Sequence, residues 1–314
     1  MRFTPAAIFV LALLALPLLV ALFGLGLWSA LALVLMLLLW RWAVIVSALT
    51  AKPTGPALRL ETIGASHYVE KVRWCLDRLG VDYVEQHNLG VIGALFAGRT
   101  VPKLHLRTGA VDSTLGNSSD ILRYLWGRYA TELGDRAAFL EPTKEALALE
   151  AQLDRYGALQ QQWVYFHILD HRKLTLHAWG AQDPSVPVWQ RALARPLFPF
   201  FRFFIRRAFR IGRNLNEKTL VRVDEMLAPL EASMADGRQF ILGGDRLSYA
   251  DITLASLSGL WLQPDNYGGG AAGGVRIERD DAPPAMNADI DLWRDKYPRL
   301  VDHMQRLYEQ ERLG

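Results

Sequence analysis

The sequence predicts a small α/β domain followed by an all-helical domain, behind an N-terminal helical hairpin of membrane-spanning character. Three observations predict this. Leu58 to Ile63 alternates apolar and polar residues as a strand does, and leads into an amphipathic stretch from Tyr68 to Leu79 that ends at Gly80. From Glu141-Pro142, a helix-start signature, helical patterning continues to the C-terminus. Between Phe3 and Trp40 there is no charged residue.

That apolar run would extend about 57 Å as one helix, nearly twice a bilayer's hydrocarbon core. Pro17 and Gly24-Leu25-Gly26 interrupt it, and the glycines suit a tight hairpin between spans of about Ala6 to Phe23 and Leu27 to Ser47. Residues 1–50 therefore read as a two-span anchor; a single span of signal-anchor character is the other reading. Trp40-Arg41-Trp42 has the composition of an interfacial anchor. Arg2 precedes the first span, and Arg41, Lys52 and Arg59 follow the second, so both flanks are positive and the folded part is expected in the cytoplasm. Hydrophobic residues make up 51% of the chain, and the mean hydropathy is +0.09. The one cysteine, Cys75, excludes an intramolecular disulfide, and a formal charge of +3 is too mild to suggest nucleic acid.

Residues 51–56 form a Pro/Gly linker. In residues 57–134 the strand at Leu58 is followed by a helix with Val69, Val72, Cys75, Leu76 and Leu79 on one side and Glu70, Lys71, Asp77 and Arg78 toward water. Then come a strand at Val84 to His87, a short helix at Leu89 to Ala97, and strands at Val101 to Arg107 and Ala110 to Thr114. Pro102 cannot donate to a ladder, so it belongs at a strand start or edge, where a cis bond fits. Residues 142–314 are helical, with a flexible Gly-rich insertion at 265–288. Ser248 caps a helix there, with Asp251 at its third position and Leu247 and Ile252 as a hydrophobic staple.

Four segments carry a family resemblance: Ser66 to Trp74 with Thr100-Val101-Pro102-Lys103-Leu104, Asn117-Ser118-Ser119-Asp120-Ile121-Leu122-Arg123-Tyr124-Leu125, Gly243 to Ile252, and Tyr297-Pro298-Arg299-Leu300. In this order they resemble the glutathione transferases, from about Ala57 to Gly314. The resemblance implies a thioredoxin-like domain followed by the all-helical transferase domain, with glutathione as co-substrate and no metal. It implies that Ser66, at a helix N-terminus, stabilises the glutathione thiolate, that Val101 and Pro102 hold the cysteinyl part, and that Asn117 and Ser118 meet the γ-glutamyl end. Asn117 departs from the acidic residue usual at that position. Tyr68 is a reserve hydroxyl, and serine at position 66 disfavours disulfide exchange.

The family's habits imply a homodimer and a hydrophobic electrophile as second substrate, the chemistry of detoxification. Trp163, Tyr165, Phe166 and Trp179 are expected to line the acceptor pocket, and His167, His171 and His177 to be ordinary helix residues. The competing reading is a non-catalytic, transferase-like binding or adaptor module at the membrane; a glutathione-dependent lyase or isomerase is a third. From Arg195 to Arg213 an amphipathic basic helix places Arg202, Arg206, Arg210 and Arg213 on one arc. It reads either as a helix packed on the core or as a surface for anionic lipid or an anionic substrate.

Overall fold

The computed structural model describes residues 5–24, 26–50, 55–90, 101–109 and 111–312. At the N-terminus, helices α1 (Pro5–Leu22) and α2 (Leu27–Thr50) flank Gly24 and Gly26, whose φ values of 74° and 85° favour glycine. The rings of Phe9 and Trp40 lie 6.2 Å apart, so the two helices touch. Among the described residues only Leu27–Ser47 is long and apolar enough to cross a membrane; the apolar segment of α1, Ala12–Leu22, is shorter. The expectation of two spans is thus not supported: among the described residues one helix reaches spanning length.

The alternating segment at Leu58 forms β1 (Ala57–Thr62), and Ser66 then caps α3 (His67–Leu79), which Gly80 closes in a left-handed conformation at φ 63°. Strands β2 (Tyr83–His87), β3 (Lys103–Thr108) and β4 (Val111–Gly116) complete a sheet of order β2-β1-β3-β4. β1 is parallel to β2, which requires the α3 crossover, while β1/β3 and β3/β4 are antiparallel. The helix expected at Leu89 to Ala97 falls mainly outside the described residues.

Helix α4 (Ser118–Leu133) packs beside α3, followed by α5 (Lys144–Ile168), α6 (Arg172–Ala178), α7 (Val188–Ala208), α8 (Arg213–Ser233), α9 (Tyr249–Leu262), α10 (Pro284–Lys296) and α11 (Pro298–Gln310). α9 is buried on nearly all sides and packs on α3, α5 and α11, so one apolar core joins the sheet to the helices. That placement accounts for its composition: a helix without a solvent face needs no polar stripe. α3 meets α5 closely enough that a Cβ on Gly157 would lie 2.7 Å from the Tyr68 hydroxyl oxygen.

Two expectations require correction. The Gly-rich insertion is not a loose tether: Tyr267, Ala272, Val275 and Ile277 are buried, and its glycines admit close neighbours such as the Arg312 guanidinium against Gly269. The basic stretch is not one helix to Arg213. α7 begins earlier, at Val188, and ends at Ala208; Arg210 turns left-handed at φ 51°, and Arg213 opens α8. Pro196 and Pro199 lie inside α7. The carbonyl of Arg195, which Pro199 cannot reach with an N–H, accepts from the Arg172 guanidinium at 2.9 Å instead.

Candidate functional site

Strand register brings the sequence-predicted residues together. Glu61 near the end of β1 is opposite Lys103 at the start of β3, and Lys103 is opposite Gly116 at the end of β4. The turn to Ser66, the segment Val101-Pro102 and the segment Asn117-Ser118 therefore emerge at the same end of the sheet. The Val101-Pro102 bond is cis, with Pro102 just before β3 and outside the ladder. Two helices, α3 and α4, begin at this end, so their unpaired N–H groups and positive dipole ends face one region.

Each polar residue there has a defined local role. The Ser66 hydroxyl accepts from the Val69 amide at 3.4 Å. Asn117, at φ 68°, accepts from the Ser119 amide at 3.1 Å, so its side chain caps α4. Ser118 is 2% exposed, and its hydroxyl has no hydrogen-bond partner among the described residues. An orphaned hydroxyl at a helix N-terminus is suited to an anionic ligand group.

Beneath this end lies a buried polar cluster that the sequence reading missed. Lys71, expected in water, is fully buried; it donates to Glu150 of α5 at 2.6 Å and to the Ser119 hydroxyl at 3.3 Å. Ser119 in turn donates to Asp154 at 3.2 Å, and Arg123 pairs with the other oxygen of Glu150. Glu70 is also buried, against Arg73 and Arg312. Helical spacing placed these charges outside because α3 alone offers no clue that α5 and the C-terminal residues supply counter-charges.

His67 and Tyr68 belong to the same interface. Tyr68 donates its one O–H to the Asp154 carbonyl at 2.9 Å, and burial raises its phenol well above the usual range. His67 bonds the Gly157 carbonyl at 2.9 Å, and burial pushes its pKa down from 6.5 to about 4. The unfolded chain then binds more protons between these values, so stability is fully present above pH 6.5 and lost as pH falls toward 4. The loss expected is about 3 kcal/mol. Urea titrations at several pH values should show a shallower acid dependence for His67→Phe; an unchanged slope would mean that another group dominates.

Cys75 is buried, which pushes its thiol up to about 12 and leaves little thiolate at neutral pH. Two of the four aromatics expected around an acceptor pocket are core groups instead. Trp163 is buried and donates to Asp289 at 2.8 Å, and Trp179 is buried against Phe198. His167 also bonds Asp289, at 2.9 Å, and His177 bonds the Arg276 carbonyl at 2.9 Å. A cavity of about 500 Å³ lies elsewhere, lined by His171, Arg172, Lys173 and Asp281 among others. No group of three or more potential metal ligands occurs among the described residues. The ordered insertion closes on the turn before Ser66: a Cβ on Gly64 would meet Val275 at 2.8 Å, and Tyr267 donates to the Ala65 carbonyl at 3.3 Å.

Residues 213–306 match the family model for the glutathione S-transferase C-terminal domain. No curated protein sequence matches the chain. Among solved structures, a glutathione S-transferase from Methylobacterium radiotolerans, in complex with glutathione sulfonate, aligns at a TM-score of 0.50 and 18% identity, covering 82% of this chain and 92% of that one. A glutathione transferase from Pseudomonas putida with one glutathione disulfide bound per subunit aligns at 0.48 and 16% identity, covering 86% and 94%. A glutathione transferase family member from Pseudomonas fluorescens, with two glutathione bound, aligns at 0.47 and 14% identity, covering 86% and 95%. The chain thus has the glutathione transferase fold, with the family's C-terminal domain matched over residues 213–306.

Proposed function

We propose that this chain is a membrane-anchored glutathione transferase that conjugates glutathione to a hydrophobic electrophile. The observation that carries the reading is the convergence, through the β1/β3 and β3/β4 registers, of Ser66, Val101-Pro102 and Asn117-Ser118 beside two helix N-termini. Ser118 would receive the γ-glutamyl carboxylate, a use for its unpartnered hydroxyl, and the Val101 backbone would hold the cysteinyl part. Ser66 would donate its hydroxyl to the sulfur, and with the α3 dipole this favours the thiolate. The thiolate forms the new S–C bond as the leaving group departs with its electron pair; the thiol proton passes to water. Asn117, its amide oxygen already engaged with the Ser119 amide, would offer the ammonium only a neutral acceptor.

The helix Leu27–Ser47 would supply the anchor; Lys52 and Arg59 follow it and a lone Arg2 precedes it, a charge bias that favours the folded part in the cytoplasm. An anchor suits this chemistry because apolar electrophiles concentrate in the bilayer. Calorimetric titration of glutathione into the detergent-solubilised full chain should give binding that Ser118→Ala weakens about 10- to 100-fold, the worth of a hydrogen bond to a charged group. Ser66→Ala should leave binding in place and slow conjugation of an aryl halide. Absence of any heat at saturating glutathione would sink the assignment. The packing of Tyr267 and Val275 on the turn before Ser66 favours a second reading, a non-catalytic binding module. In that case no electrophile is turned over, and Ser66→Ala changes nothing measured.

A further inference from the structure

Helix α7 carries two apolar faces. Ala194, Phe198, Phe201 and Ile205 point into a core with Trp179 and Leu169. On a second side, roughly 120° around the helix, Leu193, Leu197, Phe200, Phe203 and Phe204 face outward, and the three phenylalanines are 53%, 63% and 50% exposed. At 100° per residue these outward positions form a stripe roughly 120° wide, and a water-facing helix has polar residues in that place. The charge around the stripe is one-sided. Between Asp183 and Glu217 the sequence holds seven arginines and no acidic residue. Asp170 takes both Arg202 and Arg206, while Arg195, Arg207 and Arg210 are exposed and form no ion pair among the described residues.

We propose that this outer face of α7 sits in the headgroup region of an anionic bilayer, its phenylalanines among the upper acyl chains and its arginines on lipid phosphates. Exposed aromatic and aliphatic side chains beside arginine are the composition of a helix lying in the membrane plane. Guanidinium groups bind phosphate in a bidentate fashion, and the anionic leaflet attracts them before contact. A second copy is the poorer occupant: pairing two α7 faces about a twofold axis would bring two arginine-rich edges together, and like charges oppose such docking. The inference rests on the anchor assigned to α2, which would hold α7 at high effective concentration near the surface, so weak contacts suffice. It adds a second, reversible attachment that fixes how the folded part faces the lipid.

The test uses the full chain with Phe203→Cys, labelled with a nitroxide; the native thiol, Cys75, is buried and escapes labelling. A second position, Leu292→Cys on α10, is exposed and serves as the reference. In vesicles of phosphatidylcholine and phosphatidylglycerol, position 203 should lose collisions with a water-soluble nickel complex and keep those with oxygen, while position 292 stays open to nickel. Pure phosphatidylcholine, or Arg195→Glu with Arg207→Glu, should return position 203 toward water. If the chain floats with the vesicles but position 203 is as open to nickel as position 292, the inference is overturned and the anchor stands. If the chain does not float, both membrane assignments fall. Dipolar broadening between labels on two chains would overturn it in favour of a second copy.

Discussion

Replacing Glu150 by leucine should destabilise the folded part by about 3 to 5 kcal/mol, the cost of leaving a buried charge unpaired. Glu150 serves two cations at once: Lys71 from α3 at 2.6 Å and Arg123 from α4. Lys71 has no exposed side-chain surface, and its next carboxylate, Asp154, is 3.9 Å away. Thermal melts followed by circular dichroism should therefore drop by roughly 10 °C. The double variant Lys71→Met with Glu150→Leu should recover much of the loss, because it removes the stranded ammonium. A single variant within about 0.5 kcal/mol of the native chain, the range of ordinary surface changes, would show that the ammonium finds water. The cluster reaches Ser119, beside the Ser118 hydroxyl, so Glu150→Leu should also weaken glutathione binding if the proposed site is correct.

Asp251→Ala should cost about 4 kcal/mol, combining a lost helix cap with buried donors left unmet. The carboxylate is fully buried and accepts four bonds. One oxygen takes the Ser248 amide at 3.0 Å and its hydroxyl at 2.7 Å; the other takes the Ile241 amide at 2.7 Å and His303 at 3.1 Å. These partners come from the loop before α9, its N-terminus and α11, so one side chain ties three elements. Asp251→Asn keeps the shape but presents an NH2 group to donors, and about half the loss should remain. Urea unfolding would measure both. A loss under about 1 kcal/mol for the alanine variant would reduce Asp251 to an ordinary cap.

The local readings that succeeded rest on short-range physics. The alternation at Leu58, the Gly80 stop and the Ser66 cap are settled within a few residues, by side-chain period and by the φ that glycine permits. Ser248 with Asp251 was legible for the same reason, though the partners Ile241 and His303 were not. Candidate site segments were legible as motifs, and only strand register brought them to one end of the sheet.

The misreadings concern residues whose surroundings come from elsewhere in the chain. Lys71 and Glu70 sit on what helical period alone makes a solvent face, and α5 and the Arg312 region convert it into a buried one. The glycines of the insertion suggested a flexible segment, yet the absence of side chains is what lets that segment press against Arg312 and Arg73. In α7, helical period separated an arginine arc from the apolar residues but could not divide those residues; packing chose Phe198, Phe201 and Ile205 for the core and left Phe200, Phe203 and Phe204 outside. The amino-acid sequence by itself determined the first strand, α3 with its Ser66 and Gly80 ends, the Ser248 cap and the apolar N-terminal run, because these depend on neighbours within one or two turns. Tertiary structure decided which charges are paired in the interior, how the insertion packs and which apolar face of α7 remains exposed, because burial is set by the elements that close over a residue.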